Sequence, residues 1–335
     1  LLSRPAANLD PVRLFAGFET LSGIVLAVSG GPDSAALMRL AARWRDHAGV
    51  PLAVATVDHG LRAESGAEAD KVGAWAATLG LPHAILPWRG EKPTRAIQEK
   101  AREARYALLF AHARALGAEA VATAHHADDQ WETIVFRLAR GSGIGGLAGM
   151  ARDQAFPDGR LIRPLLNLPK QALVDYCRAE NQSFFEDPAN ADPAYARARL
   201  RAMGAPLRAM GFDRAKAATL ARRARKAEEA LDWAANALLR RTISPEKDVY
   251  HLEHNENTPA AVLERFLSLA IAQAAGAPPQ RLDRLEFLAD QMSKALINND
   301  ILRTTLGGCA VVLNRRKILA LRLERPRTRG VERRA

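Results

Sequence analysis

Four short apolar runs, Ile24–Val28, Leu52–Val57, His83–Trp88 and Glu119–Ala124, begin roughly 30 residues apart, and each is followed by a longer segment with apolar residues at helical spacing. That alternation is the period of repeated β-α-β units. It confines the chain to an α/β architecture, a mostly parallel, doubly wound sheet with helices on both faces. Such sheets bind ligands beyond the carboxyl ends of their strands, and Ser29, Asp58, Trp88 and His125 sit at those four ends. One crevice should collect all four.

The first run leads into Ser29-Gly30-Gly31-Pro32-Asp33-Ser34, which reads as strand, tight turn and helix. Two glycines admit a polyanion close to the backbone, and the N-H groups at the start of the following helix can hold phosphate oxygens. The loop has neither the lysine of G-x-x-x-x-G-K-[ST] nor the length of G-x-G-x-x-G. It resembles instead the SGGxDS loop of the PP-loop family, the N-type ATP pyrophosphatases. That likeness implies cleavage of ATP between its α and β phosphates and a sheet of the adenine nucleotide α-hydrolase type.

Charge is distributed unevenly along the 335 residues. Residues 1–190 hold 21 basic and 21 acidic side chains, 191–240 hold 11 and 5, and 315–335 hold 9 and 2. A neutral front half joined to basic later segments suggests that small-molecule chemistry and polyanion docking are separated along the chain. No apolar run approaches the ~20 residues of a membrane span, so a cytosolic protein without membrane contact is expected. Cys177 and Cys309 lie far apart and outside any C-x-x-C pair, which argues for small buried residues and against a zinc ribbon or a local redox pair.

Length favours more than one domain. The pattern divides into a catalytic region over 1–205, a helical region over 206–275 suited to a polyanion and a small α+β C-terminal domain with a basic tail over 276–335. Helices are expected over 213–240, 258–276 and 279–297, and a final strand pair over 304–323, turning at Asn314-Arg315-Arg316. Gly141-Ser142-Gly143-Ile144-Gly145-Gly146 is too rich in glycine for a regular element and is expected as a mobile loop able to close over a substrate.

A second constellation, His125-His126-Ala127-Asp128-Asp129-Gln130-Trp131-Glu132-Thr133, follows the fourth strand and runs into a helix capped by Asp128 or Asp129. Asp129 and Glu132, at i and i+3, share a helical face, while His125 arrives from the strand end. Such a cluster can hold a metal or a cationic substrate. Zinc is disfavoured because no third nitrogen or sulfur ligand lies nearby in sequence.

With the PP-loop upstream, this cluster and the segments Arg140-Gly141-Ser142-Gly143 and Gly146-Leu147-Ala148-Gly149-Met150 resemble those of the bacterial tRNA(Ile)-lysidine synthetases. Val57-Asp58-His59-Gly60-Leu61-Arg62, Glu99-Lys100-Ala101-Arg102-Glu103-Ala104-Arg105-Tyr106, Arg163-Pro164-Leu165-Leu166 and Asp187-Pro188-Ala189-Asn190 with Tyr195 follow the same family order. One departure is Arg197-Ala198-Arg199-Leu200-Arg201, where the family usually carries an asparagine at the second position.

The resemblance implies an enzyme that adenylates C2 of the wobble cytidine in the CAU anticodon of tRNA(Ile) and then joins the ε-amine of L-lysine there. ATP with Mg2+, tRNA(Ile) and lysine are the implied cofactors and partners; a homodimer is left open. Ser29, Gly30, Gly31, Pro32, Asp33 and Ser34 would hold the phosphates, with Asp33 positioning Mg2+ or the loop. Arg102 and Arg105 would pair with phosphate, and the backbone around Ala27 and Val57 would read adenine. Asp58 and His59 would lie near the adenosine or form a capped turn. Asp129 and Glu132 would hold the lysine ammonium, either one serving as base, and His125 would order the site or carry a proton. Arg197, Arg199 and Arg201 would meet the tRNA backbone. Thiolation of a tRNA base, or amidation by a related synthetase, is the competing reading.

Overall fold

The computed structural model describes residues 9–60, 65–89, 97–185, 204–276 and 281–324. By internal contacts the chain forms two units, one of residues 1–140 with 149–221, the other of residues 141–148 with 222–335.

The first unit is built on a six-stranded sheet in the order β3-β2-β1-β4-β6-β5. Its strands are β1 (Ile24–Ala27), β2 (Leu52–Asp58), β3 (His83–Pro87), β4 (Ala120–Ala122), β5 (Asp153–Phe156) and β6 (Gly159–Ile162). All neighbours pair in parallel except β5, an edge strand that folds back on β6. The β5–β6 hairpin extends the sheet beyond the four strands anticipated from the repeat.

Alternation along β1 supplies both faces of the core. Ile24 and Leu26 join Leu37, Met38, Leu40 and Trp44 of α2 (Pro32–Ala48), with Trp44 stacked on Phe15 of α1 (Pro11–Phe15) at 4.9 Å. Val25 points the other way, into a cluster with Leu109 and Phe110 of α4 (Ile97–Ala115) and Val121 of β4. Helices α3 (Ser65–Thr78), α5 (Ala127–Ala139) and α7 (Lys170–Ala179) complete the coverage, α7 packing on α2. Because β2 and β4 flank β1 on opposite sides, the direction of winding reverses between β1 and β4. The reversal opens a crevice at the carboxyl ends of these two strands.

The second unit has a four-stranded antiparallel sheet in the order β7-β10-β9-β8, made from β7 (Val249–His251), β8 (Leu302–Leu306), β9 (Cys309–Leu313) and β10 (Ile318–Leu323). It packs against α9 (Ala260–Ala275) and α10 (Leu282–Asn298) around Tyr250, Phe266, Leu267, Leu313 and Leu319. The expected strand pair is therefore a larger sheet. The extra hairpin turns at Gly307-Gly308, both at positive φ (62° and 77°), a two-residue turn that such glycines allow.

Helix α8 (Arg214–Thr242) divides its residues between the units at Ala221 and Arg222. The glycine-rich stretch expected as a mobile loop contains a helical turn, α6 (Ile144–Leu147), and belongs with the second unit, where Arg225 donates to the Ala148 carbonyl at 3.0 Å. Among the described residues no helix is long and apolar enough to cross a membrane.

Candidate active site

The loop after β1 is held by its own side chains. Ser34, buried at the start of α2, accepts a hydrogen bond from the Ser29 N-H (3.2 Å) and donates to the Gly31 carbonyl (3.0 Å). The two glycines differ in what demands them. Gly30 sits at φ +89° with Phe185 so close that a Cβ would fall 2.5 Å from the ring, and its carbonyl accepts from the Phe185 N-H at 2.8 Å. Gly31, the N-cap of α2 at φ −70°, faces open space, and a Cβ there would meet no atom within 4 Å. Pro32 follows at N1, where a missing N-H costs nothing. The first-turn N-H groups of Asp33 and Ser34 have no intrahelical acceptor, so a ready anion site opens beside Gly31.

At the end of neighbouring β4, His126 caps α5, a role expected of Asp128 or Asp129. Its Nδ1 accepts from the Asp129 N-H (3.4 Å), while the Asp129 carboxylate accepts from the His126 N-H (3.0 Å). With Nδ1 as acceptor, the ring proton belongs on Nε2. Nε2 lies 3.5 Å from Asp33 and 3.4 Å from Asp129, which bridges the loop to the second constellation. Burial works against a charged His126, but the hydrogen bond to Asp33 and the charges of Asp129, Asp33 and Asp128 outweigh it and raise its pKa above 6.5. Lys170 of α7 brings its ammonium to 3.7 Å from the same Asp33 oxygen. The other Asp33 oxygen, Oδ1, is buried with no hydrogen-bond partner.

Asp128 is a structural junction. It accepts from the Lys170 N-H (2.9 Å) at the start of α7 and from Arg214 through both oxygens (2.9 and 3.0 Å). Together with Trp131, Glu132, Arg208 and Arg214 it lines a pocket of about 170 Å³. The carboxylate accompanying Glu132 in this pocket is thus Asp128, at i−4, while the capping box turns Asp129 toward His126 and Asp33. Gln130 clasps the Met150 backbone in both directions (2.7 and 2.9 Å), and Gly149, at φ +66°, leaves the space that this amide fills. His125 pairs through Nδ1 with Thr123 at 2.8 Å.

At the β2 end, Asp58 holds the Gly60 N-H (2.8 Å) and the Ser65 hydroxyl (2.7 Å), which makes it the anchor of a capped turn. Arg105 reaches His59 at 3.2 Å, and His59 meets Trp88 edge-on at 5.8 Å. Arg102 lies elsewhere, over the Tyr106 ring at 5.1 Å. Ala27 and Val57 are half-buried against the Val25 cluster. Arg197, Ala198, Arg199 and Arg201, with residues 187–190 and Tyr195, fall outside the described residues.

A PP-loop domain family matches residues 8–206. The tRNA(Ile)-lysidine synthase of Methylobacterium nodulans is 47% identical over 315 residues, covering 92% of each chain. The enzyme of the same name from Rhodopseudomonas palustris is 42% identical over 320 residues, covering 90% of each. The chain belongs to the tRNA(Ile)-lysidine synthase family. Among solved structures, the U34-tRNA thiolase NcsA from Methanococcus maripaludis shares the fold at a TM-score of 0.54, with 16% identity, over 65% of this chain and 77% of that one.

For a member of the tRNA(Ile)-lysidine synthase family, several crevice residues carried no local signal. His126 stands within the second constellation, but its contact with Asp33 spans more than ninety positions. Lys170, Phe185, Arg208 and Arg214 likewise reach their places through tertiary packing alone. The sequence does hold one legible clue: Gln130 and Gly149-Met150, which belong to separate motifs, are partners in space.

Proposed function

We propose that this protein is a ligase that forms lysidine in tRNA(Ile). ATP is the adenylating substrate; the C2 oxygen of the wobble cytidine attacks its α-phosphorus and pyrophosphate leaves. The lysine ε-amine, after losing a proton, then attacks C2, and AMP departs with the oxygen. Codon recognition changes from AUG to AUA. The observation that carries this reading is the adjacency of an anion-binding loop and an acidic helix start at the β1/β4 reversal, joined by Asp33 and His126.

Loop N-H groups beside Gly31 bind the phosphates, and Lys170 offsets charge building on the departing pyrophosphate. Arg105, at the β2 end, is placed for the nucleotide side of the crevice. Mg2+ fits Asp33, whose buried Oδ1 offers an unclaimed hard oxygen, and would neutralise phosphate charge; such sites take one or two carboxylates and complete the shell with phosphate and water. Glu132 holds the lysine ammonium in its pocket, and the adjacent Asp129–His126 pair is a route for the amine proton. Thiolation is disfavoured by Cys177, which donates to the Pro32 carbonyl and whose burial pushes its pKa up to about 12, far from a reactive thiolate.

The test supplies ATP, Mg2+, labelled lysine and unmodified CAU-anticodon tRNA(Ile) and follows lysine incorporation and AMP release. No incorporation into a competent tRNA removes the proposal. Glu132→Ala should lower lysine transfer by about 100-fold while sparing adenylation, whereas Asp33→Ala should stop both. Equal loss of both steps in Glu132→Ala would withdraw its assignment.

A further inference from the structure

Arg163 emerges at the carboxyl end of β6, and its side chain is only 3% exposed. Its Nη1 donates to the Ala151 carbonyl (2.6 Å) and to Gln154 Oε1 (3.3 Å), and Tyr106 stands close by. Every one of these partners is uncharged, and Nε is buried with none at all. A guanidinium buried without a counter-charge is costly, of the order of several kcal/mol.

Two more guanidiniums act on it from nearby. Arg102, one turn before Tyr106 on α4, lies over the Tyr106 ring at 5.1 Å and is exposed to solvent. Arg137, near the end of α5, donates to the Gly149 carbonyl at 3.0 Å. Arg163 feels the positive charge of both, and Arg137 feels that of Arg102. Burial is the larger cause, and with this repulsion it lowers the pKa of Arg137 and of Arg163. An arriving anion relieves both effects, and the planar fork of arginine matches the oxygens of a phosphate.

We propose that Arg102, Arg137 and Arg163, with Tyr106, form a second phosphate site at the β6 end of the crevice that receives a backbone phosphate of the substrate RNA beside the wobble nucleotide. The proposal rests on the reading of tRNA as substrate. Position favours RNA over ATP as the source of that phosphate. β4 separates β1 from β6, so Arg163 emerges two strand spacings, about 10 Å, from the strand that leads into the loop proposed for the triphosphate. Arg105, three residues beyond Arg102 on α4, turns instead to His59 at the β2 end. Arg137 is five residues beyond Glu132, about 7.5 Å further along α5, so a nucleotide presented to the lysine pocket has its flanking backbone within reach. The nucleotide enters as a single strand, which leaves its phosphates accessible to side chains.

The experiment measures tRNA(Ile) affinity over a salt series, and ATP affinity separately, for the full chain and for Arg102→Gln and Arg137→Gln, with thermal unfolding as the check of folding. Each variant should bind tRNA about tenfold more weakly and flatten the slope of log affinity against log salt by about 0.7, the share of one single-strand phosphate contact, with ATP affinity unchanged. Unchanged tRNA affinity and slope in folded Arg102→Gln would overturn the site. Weaker ATP binding with tRNA binding intact would assign the phosphate to the nucleotide and overturn the RNA assignment. An unsubstituted chain that fails to bind tRNA(Ile) would instead remove the functional reading beneath it.

Discussion

The loop after β1 and the start of α5 are adjacent turns of one sheet, both leading from a parallel strand into a helix, yet they solve opposite problems. The loop offers backbone donors and an uncovered glycine, so it suits an anion and depends little on which side chains surround it. The α5 start offers carboxylates, and its specificity comes from which neighbour claims each one: His126 takes Asp129, Lys170 and Arg214 take Asp128, and Glu132 lines the pocket. Backbone recognition is written in glycine positions. Side-chain recognition is distributed over residues that meet only after folding.

Gly30→Ala should break the loop most severely, since it combines positive φ with a Cβ driven into Phe185. A loss of roughly 3 kcal/mol or more in chemical denaturation is expected. A near-neutral result would show that Phe185 yields. Gly31→Ala sharpens the contrast within the same loop: stability should change by less than about 1 kcal/mol, while ATP affinity falls about tenfold as a methyl group enters the phosphate space. If ATP binding survives that methyl, the open side of Gly31 is not the anion site.

His126→Ala probes the bridge between the two regions. Loss of the cap should cost about 1 kcal/mol by thermal unfolding, and both half reactions should slow because Asp33 and Asp129 lose a shared neighbour. Normal adenylation in this variant would mean that the regions work independently. The smallest effect is expected away from the crevice, at His83, whose Nε2 pairs with Thr56 at 2.9 Å. Burial, partly opposed by Asp70, lowers its pKa below 6.5. The unfolded chain therefore binds more protons, and stability should fall as pH drops through 6.5 toward the folded value. A His83→Gln variant should flatten that part of the profile; an unchanged profile would assign the dependence to other groups.

The parallel sheet was legible because strand and helix periods repeat, and the loop because its glycines and proline act on adjacent residues. The β5–β6 hairpin was not, since its exposed edge strand, Asp153-Gln154-Ala155-Phe156, has little apolar pattern. The Gly307-Gly308 hairpin had a readable turn signal, and the strand pairing around it was nonetheless compressed into a single pair. In the candidate site, spacing on α5 pointed to Asp129 as the companion of Glu132, and helical geometry alone permits that. What it lacks is the identity of the cap.

By itself the sequence determined the sheet, the glycine-rich turn after β1 and the set of acidic residues beside it, because each follows from local backbone preference and periodic apolar burial. Only the tertiary structure decided which carboxylate faces which partner, that Phe185 closes over Gly30, and that Arg163 is buried without a charged partner. Those outcomes join residues from separate elements, and charge and hydrogen-bond pairing act through space without leaving a period in the chain.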